Sequence, residues 1–259
     1  MAERDLSRAR ILLSNDDGIG AEGLAVLESI ARTLSDDVWV VAPETEQSGA
    51  SHSLTMTRPL RLKQHGEKRF SVDGTPTDCV LLAINHLMAE RRPDLVLSGI
   101  NHGNNIGEDV TYSGTIAAAM EATLLGVPAI ALSQRMDHGT APRWDTARHF
   151  GAEVIRKALA IDWPRHVLVN VNFPDADPAA VTGIQVVRHG NRKIGDELVE
   201  RIDPRNRPYF WIGPARGEEH VPEDTDIHVV THGGISVTPI YLDLTHYACL
   251  EAMRKAFAA

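Results

Sequence analysis

Two adjacent carboxylates, Asp16 and Asp17, stand between the short apolar run Ala9–Leu13 and Gly18. Like charges side by side at a strand's end repel unless a cation or a donor-rich loop compensates. A hard divalent ion with oxygen ligands is one solution; the other is that one aspartate caps the next helix while its neighbour is solvated. The dipeptide leaves both open. A second apolar run, VWVV, passes through Ala42–Pro43 into Gln47–Ser48–Gly49–Ala50–Ser51, which by itself reads as an ordinary surface turn. A third, PDLVLSGI, ends in Asn101, with Gly103, Asn104, Asn105 and Gly107 close behind. Loops this rich in Gly and Asn bring backbone and amide groups against a ligand without side-chain bulk. Tyr112–Ser113–Gly114–Thr115 then opens the apolar stretch IAAAMEATLL. Free N–H groups at that helix start, with the Ser113 and Thr115 hydroxyls, make a phosphate cradle. Capping explains a hydroxyl there but not the long polar run before it. A metal site and an anion site at neighbouring strand ends imply phosphoryl chemistry.

The elements that must carry these residues alternate. Strands at Ala9–Leu13, Val38–Val41, Leu95–Leu97, Ala129–Leu132 and Val167–Val171 are separated by helical patterns. These helices run through Leu24–Leu34, Val80–Leu87 (capped by Thr77 or Asp78), Thr115–Leu125 and Trp144–Leu159. That rhythm means βαβ crossovers and a mainly parallel, helix-covered sheet. The expected fold is α/β, a doubly wound Rossmann-like domain over residues 1–175, with its loops of chemistry at the carboxyl ends of the strands. Residues 51–73 alternate apolar and polar and suit a β-hairpin outside the sheet. Residues 176–259 read as a β-rich extension ending in a helix at Tyr247–Phe257, an oligomerisation arm rather than an independent domain. Within it the β-branched HVVTH, with His228 and His232, is strand-prone, and the acidic run Glu218, Glu219, Glu223, Asp224, Asp226 reads as a solvated loop.

Composition bounds the partners. A chain of 259 residues with 43% hydrophobic and 24% charged residues is ordinary for a globular protein. A formal charge of −9 argues against a nucleic-acid polymer as partner, though a cation and backbone N–H groups can still hold a small anion. The N-terminus lacks the apolar core of a signal peptide. The apolar stretch 114–133 is broken by Glu121, Gly126 and Pro128, so no membrane span is expected. Cys79 and Cys249 read as buried thiols of a reducing compartment, and the expected location is the cytoplasm.

Six blocks in order, ILLSNDDGIGAEG, VVAPETEQSGASHSLT, DGTPTDCV, PDLVLSGINHGNNIGEDVTYSGTIAAAMEA, VNVNFP and SVTPIYLDLT, span residues 11 to 245. In these the chain resembles the SurE family, stationary-phase survival proteins that act as nucleoside-monophosphate phosphatases. The resemblance implies that Asp16, Asp17, Ser48 and Asn101 hold one divalent cation, Mg²⁺ or Mn²⁺, and that Asp16, Asp17 and Asn101 are catalytic. It implies that Asn104, Ser113, Gly114 and Thr115 face the substrate phosphate. It implies hydrolysis of 5′- and 3′-monophosphates, a side activity on short polyphosphate, and a homodimer or homotetramer built through C-terminal segments. Gly233–Gly234 departs from the family, in which an aromatic residue commonly follows a single glycine. His102 and Asn105 carry no role from it.

In the mechanism that follows, a metal-activated water attacks phosphorus in line while amides near Gly114 stabilise the equatorial oxygens, and Asp16 accepts the water's proton. The phosphate cradle and the metal ligands are expected on separate loops, so that a side chain at Gly114 would spare metal binding. A receiver-type signalling domain needs an aspartate after its third strand, where this chain has Ser98–Gly99–Ile100–Asn101. A haloacid-dehalogenase-type phosphatase needs two aspartates separated by one residue, which fails at Asn15–Asp16–Asp17–Gly18. The alternative from another class is a non-catalytic sensor of metal and nucleotide.

Overall fold

The computed structural model describes residues 5–136, 141–192, 198–212 and 221–258. In chain order its elements are β1 (Arg10–Ser14), α1 (Glu22–Arg32), β2 (Asp37–Pro43), β3 (Leu62–Gly66), β4 (Arg69–Val72), α2 (Pro76–Leu82), β5 (Leu95–His102), α3 (Gly114–Leu124) and β6 (Ala129–Gln134). They continue with α4 (Trp144–Ala158), β7 (Val167–Phe173), β8 (Ile184–Val186), β9 (Leu198–Ile202), β10 (Pro208–Ile212), α5 (Asp226–Thr231), β11 (Ile235–Tyr241) and α6 (Tyr247–Phe257). Among the described residues, nine strands form one sheet in the order β3-β4-β2-β1-β5-β6-β7-β11-β8.

The middle of that sheet, from β4 to β7, is parallel. Its strands read as near-continuous apolar runs because both faces are covered. Along β1, Ile11 and Leu13 face a core shared with α1 and α4, through Leu27, Ile30, Trp144 and Ile155. Leu12 faces the opposite core, with Val80, Ile84, Ile116 and Ala119 from the helical side. The chain winds from β1 to β2 on one side and returns to β5 on the other, so the topological switch point lies between β1 and β5, where ligands of such sheets bind.

Four expectations are corrected here. The hairpin of residues 51–73 does not lie outside the sheet: β3 and β4 pair with each other, and β4 extends the sheet parallel to β2. β2 otherwise leaves a row of unpaired edge groups, and Phe70 and Val72 gain burial by covering it. The cap of α2 is Thr75, in a capping box with Asp78 and with Pro76 behind it, not Thr77 or Asp78. HVVTH is largely helical, because Thr225 caps α5 and the turn packs Ile227 and Val230 on Ile106. Cys249 is exposed on α6, while Cys79 is buried. The sheet runs on past residue 175, where β11 pairs antiparallel with β7 and β8 follows it. The extension also carries the separate two-stranded β9–β10 hairpin.

Gly23 is the point where α1 touches the strand that carries Asn101. A Cβ there would lie 2.0 Å from the Ile100 carbonyl oxygen and 2.9 Å from the Trp144 ring. Gly23→Ala should therefore lower stability by about 1–3 kcal/mol through overpacking, measured by urea denaturation. An unchanged midpoint would show that α1 can move away freely.

Candidate functional site

The residues singled out in the sequence gather at the carboxyl edge of the sheet, around the switch point. Asp16 stands two residues beyond the end of β1 and is only 4% exposed. It is held from three sides. The Thr115 hydroxyl donates to its Oδ1, the Gln47 N–H donates to its carbonyl at 2.8 Å, and Gly114 presses on its side chain. A Cβ on Gly114 would sit 2.7 Å from the Asp16 Cβ. Burial pushes the Asp16 carboxyl up to about 6, with the Asp17 charge adding to it and the Thr115 hydrogen bond opposing it. Asp17 is half-buried, and its Oδ2 accepts from the His102 N–H at 3.1 Å. Burial raises its carboxyl too, against that N–H and the His102 ring.

The loop after β2 arrives because Gln47 is tied to Asp16. Ser48 lies next along, exposed, with its hydroxyl donating to Glu46 at 2.8 Å. Ser51 fastens the same loop to the turn before α3, donating its N–H to the Tyr112 carbonyl at 3.2 Å and its hydroxyl to that of Thr111 at 2.8 Å. His52, on the same loop, meets the buried Glu121 of α3 at 3.0 Å. Asn101 stands at the end of β5 and donates Nδ2 to the Gly103 carbonyl at 2.9 Å.

The cradle is built differently from the expectation. The Ser113 hydroxyl accepts from the Ile116 N–H at 3.1 Å and caps α3. Thr115 is fully buried with its hydroxyl and N–H turned to Asp16, so it supports the carboxylate rather than offering its hydroxyl to a phosphate. Gly114 packs on Asp16, so a side chain there would meet a proposed metal ligand, against the expectation that it would spare them. Asn104 is half-buried and donates to Asp109 Oδ2 at 3.4 Å.

Several supporting residues were not read from the sequence. Asn105 is buried, and its carbonyl accepts from Asn170 Nδ2 at 2.8 Å and Asn172 Nδ2 at 3.0 Å. Its N–H donates to Asn172 Oδ1 at 2.8 Å, and its own Nδ2 reaches Ser133 Oγ at 2.9 Å. The spacing of two asparagines inside the strand VNVNFP was the available signal, since amides in a buried strand need partners. Asp226, expected in a solvated loop, is fully buried and accepts from the N–H groups of Gly107 and Gly190 at 3.1 and 2.8 Å; Glu218 and Glu219 lie outside the described residues.

Two adjacent raised carboxylates, a serine hydroxyl and a carboxamide form an all-oxygen donor set, which suits a hard divalent cation. Buried Asn15 Oδ1 has no partner beside them. No group of three or more His, Cys, Asp or Glu side chains is placed to hold a metal among the described residues, so any cation here depends on the neutral oxygens as well. In metal-free protein the folded state holds the Asp16 proton between the ordinary 3.8 and about 6, where the unfolded chain releases it. Stability linked to this group is therefore present at low pH and lost as pH rises through that window. Asp16→Asn keeps the acceptor for Thr115 and removes the titration. In chelator, its melting temperature should gain on wild type between about pH 4.5 and about pH 8; a difference that stays flat with pH would refute the burial argument.

Comparison with known proteins fits this geometry. Residues 11–196 match the model of the family described as Survival protein SurE. The 5′-nucleotidase SurE of Paramagnetospirillum magneticum is 60% identical over 253 residues, covering 98% of this chain and 97% of that protein. The protein of the same name from Rhodospirillum rubrum is 60% identical over 256 residues, covering 98% of both. The crystal structure of the SurE protein from Aquifex aeolicus superposes with a TM-score of 0.84 at 38% identity, over 95% of this chain and 99% of that one.

Proposed function

The chain belongs to the SurE family and is an enzyme of the 5′-nucleotidase kind, and we propose that it hydrolyses nucleoside 5′-monophosphates to nucleoside and phosphate with a divalent cation at Asp16 and Asp17. The observation that carries the cation is the burial of Asp16, whose carboxyl is raised with no cationic side chain among the causes of its shift. Ser48 and Asn101 complete the proposed ligand set, Asn101 through the Oδ1 left when its Nδ2 is tied to Gly103. Mg²⁺ and Mn²⁺ both suit these oxygens. We extend the substrates, on the family resemblance, to 3′-monophosphates and, as a side activity, short polyphosphate.

A bound cation would supply Lewis-acid charge for a phosphoryl oxygen and lower the pKa of a bound water. The chain's own part is positioning. Thr115 holds one oxygen of Asp16 and His102 one oxygen of Asp17, which leaves Oδ2 and Oδ1, respectively, as the atoms that can ligate. With Oδ1 on Thr115 and Oδ2 given to the cation, Asp16 would be a poor acceptor for the water's proton. Phosphoryl transfer through a loose transition state needs little help from a base in any case. The N–H of Gly114 at the start of α3 and the amide of Asn104 are the proposed donors to the equatorial oxygens.

The arm supports a homodimer or homotetramer. Tyr209, Phe210, Trp211 and Ile212 on β10 and Met253 and Phe257 on α6 are exposed, apolar side chains that a second copy of the chain could cover. A charge of −9 is consistent with a small anionic substrate rather than a nucleic-acid polymer. No described helix is long and apolar enough to cross a membrane. We place the protein in the cytoplasm, consistent with its two free cysteines.

Chelation should abolish phosphate release from a panel of nucleoside monophosphates, and Mg²⁺ or Mn²⁺ should restore it. Full activity in metal-stripped protein would refute the cation, and nucleotide binding without phosphate release would make the protein a sensor instead. Gly114→Ala should lower metal affinity by calorimetry together with turnover, because its Cβ would collide with Asp16. Turnover falling alone would mean that Asp16 gives way without leaving the cation.

A further inference from the structure

Residues 188–192 of the C-terminal region cross the loop that carries Asn104, and the contact is charged and close. The Arg192 side chain lays Nε on Asp109 Oδ1 at 3.3 Å and Nη2 on Oδ2. Two donors on two oxygens fix the plane of the carboxylate, as the planar guanidinium fork does best. Asp109 is almost fully buried, so its charge needs this partner. Its Oδ2 in turn accepts from Asn104 Nδ2 and the Ile106 N–H, each at 3.4 Å. An amide with one N–H engaged keeps its second N–H and its carbonyl for a ligand, in one orientation.

The two segments are shaped for each other. Gly107 has φ +53°, and a Cβ on it would lie 3.1 Å from Arg192 Cγ. Asp226 bridges the pair, accepting from Gly107 on the loop and from Gly190 on the crossing segment. The Arg192 N–H itself donates to the Glu108 carboxylate.

We propose that Arg192 is a positioning residue of the hydrolysis: through Asp109 it sets the Asn104 carboxamide that meets the substrate phosphate. This rests on the reading of Asn104 given above. A merely structural ion pair would lower stability and leave the Asn104 amide and the substrate kinetics alone.

The test uses the full chain as wild type, Arg192→Met, Asn104→Ala and the double variant. With saturating Mg²⁺ or Mn²⁺ and a nucleoside 5′-monophosphate, Arg192→Met should lower kcat/KM by about 10²-fold, the scale of a misplaced positioning group. In the Asn104→Ala background the same change should cost less than about twofold, because its effect passes through the missing amide. The ¹⁵N signal of the Asn104 side chain, identified by its loss in Asn104→Ala, should move in Arg192→Met. Losses that multiply in the double variant, or an Asn104 signal that stays in place, overturn the proposal. If wild type hydrolyses no nucleotide, the functional reading fails by itself, and the amide signal still decides whether Arg192 orients Asn104. Should Arg192→Met not fold, Asp109→Asn carries the same cycle.

Discussion

A carboxylate buried at the end of a central strand dictates much of this structure. Asp16 cannot be solvated where it lies, so every group around it must be small, donating or cationic. Thr115 donates, Gly114 yields space, and Gln47 fixes the backbone from the other side. Those three come from α3 and the loop after β2, so the placing of one side chain ties together β1, β2 and α3. Gly23 and Trp144 then set how α1 and α4 seat against Ile100, one residue before Asn101. The local arrangement is poor for folding alone and is sensible for a site that would hold the proposed cation.

The sheet extends that logic sideways. Its strands are apolar through their middles and polar in step at the carboxyl edge. Ser14 pairs with Ser98, and further along Asn101 pairs with Ser133, Ser133 with Asn172, and Asn172 with Ser236. Register is fixed by the two buried faces, since a slip of one residue would turn each apolar side chain to the wrong core. The same register therefore aligns a row of hydroxyls and amides under the functional loops. Asn170 and Asn172 use it to grip Asn105, which holds the glycine-rich loop without any regular secondary structure of its own.

What could be read from sequence divides along this line. Periodicity revealed the parallel strands because buried strands are continuous apolar runs, and turn chemistry marked the loops that hold Asp16, Asn101 and Ser113. Partnerships across long sequence distance were not legible. Asp226 sits in an acidic run that looks solvated, yet it is buried by Gly107 and Gly190, which are far from it in sequence. HVVTH has strand propensity, but a Thr225 cap and packing on Ile106 override a preference worth less than about 1 kcal/mol per residue. The hairpin at 51–73 was visible as a hairpin; its attachment to β2 was not, because an unpaired edge leaves no mark on the sequence of the strand that will cover it.

The C-terminal region also supports the loop that carries Asn104. β11 pairs beside β7, and its pairing with Asn172 and Asn170 backs the same strand whose amides hold Asn105. Residues 188–192 also reach the loop, through Asp109 and Asp226. Loop 103–109 is thus held between two parts of the chain that come late in the sequence, one through neutral amides and one through charge. Neutral amides fix the backbone at Asn105 without adding field, whereas the Arg192–Asp109 pair adds no net charge yet orients the group next to it. Among the described residues no cationic side chain figures among the influences on Asp16, and a fixed positive charge there would compete with the proposed cation for the same carboxylate.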